Sequence, residues 1–235
     1  MAEETRVHYQ DELQRLEERA LDGLNLVVQA LDRAIEAVEH QDTELAQLVV
    51  VEDDVLDGRY LEIHQRLLTM IARQAPVAGD LRLISALLHV MKSMERMGDQ
   101  CVNIAKMIPI VGHDPPADER MLSNISTMGK QVRSLITQVK AAFAARDTAL
   151  AHDLVRQDDV VDALNKECFQ IAIEIGDDHD RREWAMTMIL VARALERIGD
   201  NAVDIGEQIA YIVTGLFEEF EDASHPDSSP ASPTR

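Results

Sequence analysis

A five-residue phrase occurs twice in this chain. Glu95-Arg96-Met97-Gly98-Asp99 returns as Glu196-Arg197-Ile198-Gly199-Asp200, and the following Val102-Asn103-Ile104 returns as Val203-Asp204-Ile205. An acidic pair repeats upstream: Asp53 and Asp57 in the first copy correspond to Asp158 and Asp162 in the second. Internal repetition constrains architecture more than any local signal, because each copy has the same apolar face to bury. The chain reads as one unit used twice, with four acidic groups per unit in a common layout.

Within each unit the periodicity is helical. Leu13, Leu16, Ala20, Leu24, Val27, Leu31, Ala34 and Val38 step by three and four, which predicts a first helix over about residues 6–39. A second helix is expected over about 43–74, with Leu45, Leu48, Val55, Leu56, Ile63, Leu67 and Met70 as its stripe. A third is expected over about 80–108, with Leu81, Ile84, Leu88, Met91, Val102 and Ala105. Asp42 and Thr43 are candidate N-caps for the second helix, and Asp80 or a neighbour for the third.

Pro109 through Pro116 marks the boundary between units. The second unit repeats the plan, with helices expected over about 117–145, 148–175 and 182–217, a cap at Asp147-Thr148, and a turn at Gly176 to Asp180. No segment alternates like a strand. The expected fold class is all-α: a tandem repeat of two three-helix bundles, residues 6–108 and 117–217, sharing a long packed face. The Ser-, Pro- and Asp-rich tail over 218–235 is expected to be disordered.

Composition agrees and excludes several classes. Aromatics make up 3% of 235 residues, and straight-chain helix formers dominate. The formal charge of −20 disfavours nucleic acid and anionic lipid as partners and favours cations and basic protein surfaces. Cys101 and Cys168 are far apart without a CxxC, so they read as small buried hydrophobes of a reducing cytosol. The longest uncharged run, Gln208 to Phe217, is about half of what a membrane span needs. The expected location is cytoplasmic, without membrane insertion.

The acidic pairs carry the chemistry. One carboxylate pair four residues apart is weak, because 43 acidic residues give roughly eight such pairs by chance. Register is stronger. In an antiparallel hairpin, Asp57 and Glu95 centre on residue 76, as do Asp53 and Asp99. Asp162 and Glu196 centre on residue 179, as do Asp158 and Asp200. Each hairpin should therefore bring four carboxylates to one height. Four adjacent anions repel unless neutralised. Arg96 and Arg197 point away by helical spacing, which leaves bound cations as the economical answer.

All-oxygen sites suit Mg²⁺, Ca²⁺, Mn²⁺ or iron. The candidate metal ligands are Asp53, Asp57, Glu95 and Asp99 in one site, and Asp158, Asp162, Glu196 and Asp200 in the other. Gly98 and Gly199 leave room beside them for an ion, or for close helix packing. Glu-x-x-His and His-Glu-x-x-His are absent. His89 reads as a core histidine. His8, His40, His64, His113 and His152 read as surface or end positions, His179 as a turn residue and Trp184 as a core anchor.

At these residues the chain resembles the PhoU family. The resemblance rests on the duplicated Glu-Arg-x-Gly-Asp phrase and on the Pro76-Val77-Ala78-Gly79-Asp80-Leu81-Arg82 turn, and covers roughly residues 6–217. It implies a bacterial cytoplasmic regulator of phosphate uptake. Such a protein would contact the ATPase subunit of a phosphate transporter and a membrane sensor histidine kinase, and would keep the phosphate-starvation response off. It also implies a homodimer, and metal clusters, iron or zinc among them, on the carboxylates. Asp204 stands where the family pattern has Asn, an extra charge near the second site. Two alternatives stay open from the residues alone: a helical scaffold without metal, and a metal-dependent phosphatase. No nucleophile, separate base or phosphate cradle supports the latter.

Overall fold

The structure is a computed structural model that describes residues 2–74, 76–112, 117–175 and 178–220. Six helices follow one another: α1 (Ala2–His40), α2 (Thr43–Gln74), α3 (Ala78–Met107), α4 (Glu119–Ala145), α5 (Thr148–Glu174) and α6 (His179–Thr214). A single 3-10 turn, Ile108–Ile110, closes α3. No strand occurs among the described residues. The all-α expectation holds. His113 and Gly176, the prolines at 115 and 116, and the tail from 221 onward lie outside the described residues.

Local chemistry sets the helix ends identically in both halves. Asp42 Oδ1 accepts from the Glu44 and Leu45 amides at 3.0 and 2.9 Å, and Asp147 Oδ1 accepts from the Ala149 and Leu150 amides at 2.9 and 3.0 Å. Each cap satisfies two amides that the helix leaves unpaired. The residue before each cap is left-handed, with φ of +53° at both Gln41 and Arg146. Each of these side chains donates back to its own helix: Gln41 Nε2 to the Val38 carbonyl at 3.1 Å, and Arg146 Nη1 to the Phe143 carbonyl at 2.8 Å.

Four starts differ from expectation: α1 begins at Ala2 and α4 at Glu119, against about 6 and 117, and those of α3 and α6 have local causes. α3 begins at Ala78 behind Val77, which makes no side-chain cap bond. Asp80 instead lies in the first turn, where its carboxylate meets the positive helix end and accepts from Gln10 Nε2 at 3.2 Å. α6 begins three residues early because Asp178 caps it through the Arg181 amide at 3.1 Å, so His179 is helical and exposed rather than part of a turn. The same helix stops at Thr214 because Gly215 turns left-handed at φ +79°.

The first-helix stripe is buried as expected, as are Trp184, Cys101 and Cys168. Leu48, Val55 and Leu81 are exposed, contrary to expectation. Helix α2 buries Val49, Leu56, Ile63 and Met70 instead, a seven-residue step. Each residue advances ~100° around a helix, so Leu48 and Val55 fall one flank away from that line. His89 is exposed too, on the flank of α3.

One apolar core runs through both halves, from Leu13 of α1 to Ile209 of α6. Among helix pairs, α3 and α6 share the most extensive contact, and α1 also meets α4. Surface ties follow the same junction: Arg146 Nη2 reaches Glu17 at 2.8 Å and Arg133 Nε reaches Asp32 at 3.0 Å.

Candidate functional site

The motif glycines place α2 against α3, and α5 against α6. A Cβ at Gly98 would stand 3.1 Å from Asp53 Oδ1 and closer still to Leu56 Cδ2. A Cβ at Gly199 would collide with Asp158 Oδ1. In both halves the absent side chain lets an upstream aspartate lie over the downstream helix.

In the first half the carboxylates feel one another. The Asp53 carboxyl is pushed up to about 6, first by burial and then by Asp57, Asp99 and Asp54. Burial raises Asp99 as well, followed by Glu95 and Asp57. Asp53 and Glu95 are half-buried, whereas Asp57 and Asp99 are exposed. The second half is drier. Asp158, Asp162 and Glu196 are 4%, 8% and 5% exposed, and Asp200 is half-buried. Burial raises the Glu196 carboxyl; Arg193 pulls it down and the Asp162 charge pushes it up.

Basic side chains one turn before each motif glutamate neutralise part of this charge. Lys92 Nζ donates to Glu95 Oε2 at 2.6 Å, and Arg193 donates to Glu196 Oε1. Lys166 Nζ stands 4.0 Å from Asp162 Oδ2. A basic residue three positions before the motif glutamate is visible in both copies of the sequence and could have been read there.

The extra carboxylate also has a local explanation. Asp204 is exposed by area, yet groups packed around it desolvate its carboxyl and raise its pKa, while Arg96 and His89 of α3 pull it back. It faces the opposite half of the molecule.

The donor chemistry suits a hard cation: carboxylate oxygens, no thiolate or imidazole, and glycine clearance beside them. Glu196 Oε2 is buried without a hydrogen-bond partner, an acceptor that a cation would satisfy. Among the described residues, no three Asp, Glu, His or Cys side chains are already drawn together for ligation. Lys92 holds Glu95 Oε2 and Arg193 holds Glu196 Oε1, so an ion would have to displace those pairs or, at Glu196, take the other oxygen.

The PhoU domain family model matches residues 22–108 and 125–209, the two halves in turn. A phosphate-specific transport system accessory protein PhoU homolog of Clostridium acetobutylicum is 30% identical over 220 residues, covering 93% of this chain and 100% of that protein. A protein of the same description, homolog 1 of Thermotoga maritima, is 34% identical over 210 residues, covering 89% of this chain and 90% of that one. The crystal structure of PhoU from Pseudomonas aeruginosa superposes with a TM-score of 0.83 at 27% identity, over 88% of this chain and 100% of that one. Two matched halves, full-length relatives and a shared six-helix arrangement place the chain in the PhoU family.

Proposed function

We propose that this chain is an accessory regulator of phosphate transport. It acts in the cytoplasm as an adaptor between a phosphate transporter's ATPase subunit and a membrane sensor histidine kinase, restraining the starvation response while phosphate is abundant. The observation that carries this reading is the full-length likeness to proteins named as accessory to phosphate-specific transport. No helix among the described residues is long and apolar enough to cross a membrane, so contact with the transporter would run through protein surfaces. The reading is not enzymatic, and a homodimer is part of it.

In this reading Asp53, Asp57, Glu95 and Asp99 would hold ions in one half, and Asp158, Asp162, Glu196 and Asp200 in the other. Iron, zinc, magnesium and manganese are the candidate ions. A bound ion would cross-link two helices and neutralise the carboxylates, fixing the outer face of each hairpin. The metal-free scaffold is the second reading, favoured by the Lys92–Glu95 and Arg193–Glu196 pairs.

Affinity capture from phosphate-replete cells tests the adaptor role. Recovery of the transporter ATPase and the kinase supports it; recovery of neither, with both expressed, rejects it. Metal analysis of protein purified without chelator separates the two readings. Glu95→Ala with Asp99→Ala should remove one site's metal and leave the other's.

A further inference from the structure

The two halves differ at one place that the family match leaves unexplained. Aligned on the capping residues Asp42 and Asp147, Arg33 corresponds to Gln138 and Glu52 to Gln157. The structure bears the alignment out, because both pairs join equivalent helices: Arg33 donates to Glu52, and Gln157 Nε2 donates to Gln138 Oε1 at 2.6 Å. By the same alignment Leu26 corresponds to Gln131, and Ala30 to Leu135.

In the second half this space is filled. Leu135 is fully buried, with Cδ1 3.6 Å from the point where a Cβ at Gly199 would stand. The Gln131 amide donates to the Gln157 carbonyl at 3.4 Å. The first half has neither group. Leu56 leans over Gly98 where the second half has Val161, which returns part of the missing bulk. A groove of about 260 Å³ still stays open between α1, α2 and α3.

Its apolar walls are Leu26, Ala30, Val49, Leu56 and Val102, and its polar rim includes Glu52 and Asp53. Arg33 is tied to Glu52, so the net charge of this rim is negative. The volume falls just below the usual span for drug-sized ligands, ~300–1,000 Å³, which limits an occupant to a few heavy atoms. The filled half shows which chemistry closes such a gap: one branched aliphatic group beside one hydrogen-bond donor. The acidic rim favours a positively charged donor.

We infer that the groove between Ala30, Leu56 and Asp53 is a binding site for a small aliphatic amine, with its branched carbon chain against Ala30 and its ammonium group at Asp53 and Glu52. The site shares Asp53 with the acidic motif, so an amine and a cation would compete for that carboxylate, and chelator separates the two.

The test titrates the full chain, in chelator, with isopentylamine and with its neutral counterpart isopentanol, reading methyl NMR shifts. Saturable shifts at Leu26, Val49, Leu56 and Val102, with the alcohol at least ~tenfold weaker, are expected. Ala30→Leu should abolish them while the melting temperature holds or rises. Asp53→Asn should weaken the amine and leave the alcohol unchanged, a second check if Ala30→Leu does not fold. Absence of saturable shifts, equal binding of the alcohol, or shifts that survive in folded Ala30→Leu protein would each overturn the inference.

Discussion

Asp158 Oδ1 occupies the space into which a Cβ on Gly199 would project, and both residues are buried. The carboxylate position therefore depends on the missing side chain. Gly199→Ala should destabilise the protein by about 1–3 kcal/mol, the usual range for overpacking. Gly58 is the control, since nothing lies within 4 Å of a Cβ there and the residue is exposed in mid-helix. Gly58→Ala should stabilise by about 0.5–1 kcal/mol through helix propensity alone. Denaturant melts of both variants give the comparison, and equal effects would remove the assigned role of Gly199.

The raised Asp53 carboxyl fixes a pH dependence. A folded-state pKa of about 6, above the ordinary carboxylate value, means that the folded chain holds this proton where the unfolded chain has lost it. Its stabilising contribution is present at low pH and is lost as pH rises through about 6. In chelator, Asp53→Asn should match the parent only near pH ~3.5, pull ahead of it between about pH 4 and 6, and melt higher near pH ~7.5. A constant difference across that window would contradict the shift.

Removing the two basic partners should have unequal effects. Glu196 keeps 7% of its side-chain surface, whereas Glu95 keeps 18%. Arg193→Met leaves a buried carboxylate unpaired and should cost about 1–3 kcal/mol. Lys92→Met should cost less than about 1 kcal/mol, as for a solvated pair. If the carboxylates take cations, added Mn²⁺ should restore more of the melting temperature in Arg193→Met than in Lys92→Met.

Gln41 and Arg146 share a left-handed backbone but not the same ties. Gln41→Gly should gain about 0.5–1 kcal/mol, because glycine adopts this conformation freely. Arg146→Gly also frees Glu17, held at 2.8 Å across the α1–α4 junction, and should gain nothing or lose stability. Thermal melts in matched buffer distinguish the two.

The duplicated phrase and the aspartate caps made six helices readable from the sequence, because caps and periodicity are local properties. The exposure of Leu48, Val55, Leu81 and His89 has the opposite cause and is not a local property. Which flank of a helix is covered depends on neighbours that a single stripe does not identify. At the acidic motifs the sequence exposed the repeated carboxylates but not their partners. The paired bases are Lys92 and Arg193, one turn before each glutamate, and not the adjacent Arg96 and Arg197. The open groove beside Ala30 is a difference between α1 and α4, whose sequences share little besides their apolar spacing, so no local pattern marks it.

The broad α3–α6 contact sets how the molecule can evolve and be cut. Each half serves as the other's shelter from water, so a fragment ending near residue 112 would carry a long greasy flank into solvent. The two copies are built around one core. The halves differ in how each fills its own interior, as Ala30 and Leu135 show, yet each leaves an apolar flank that the other covers.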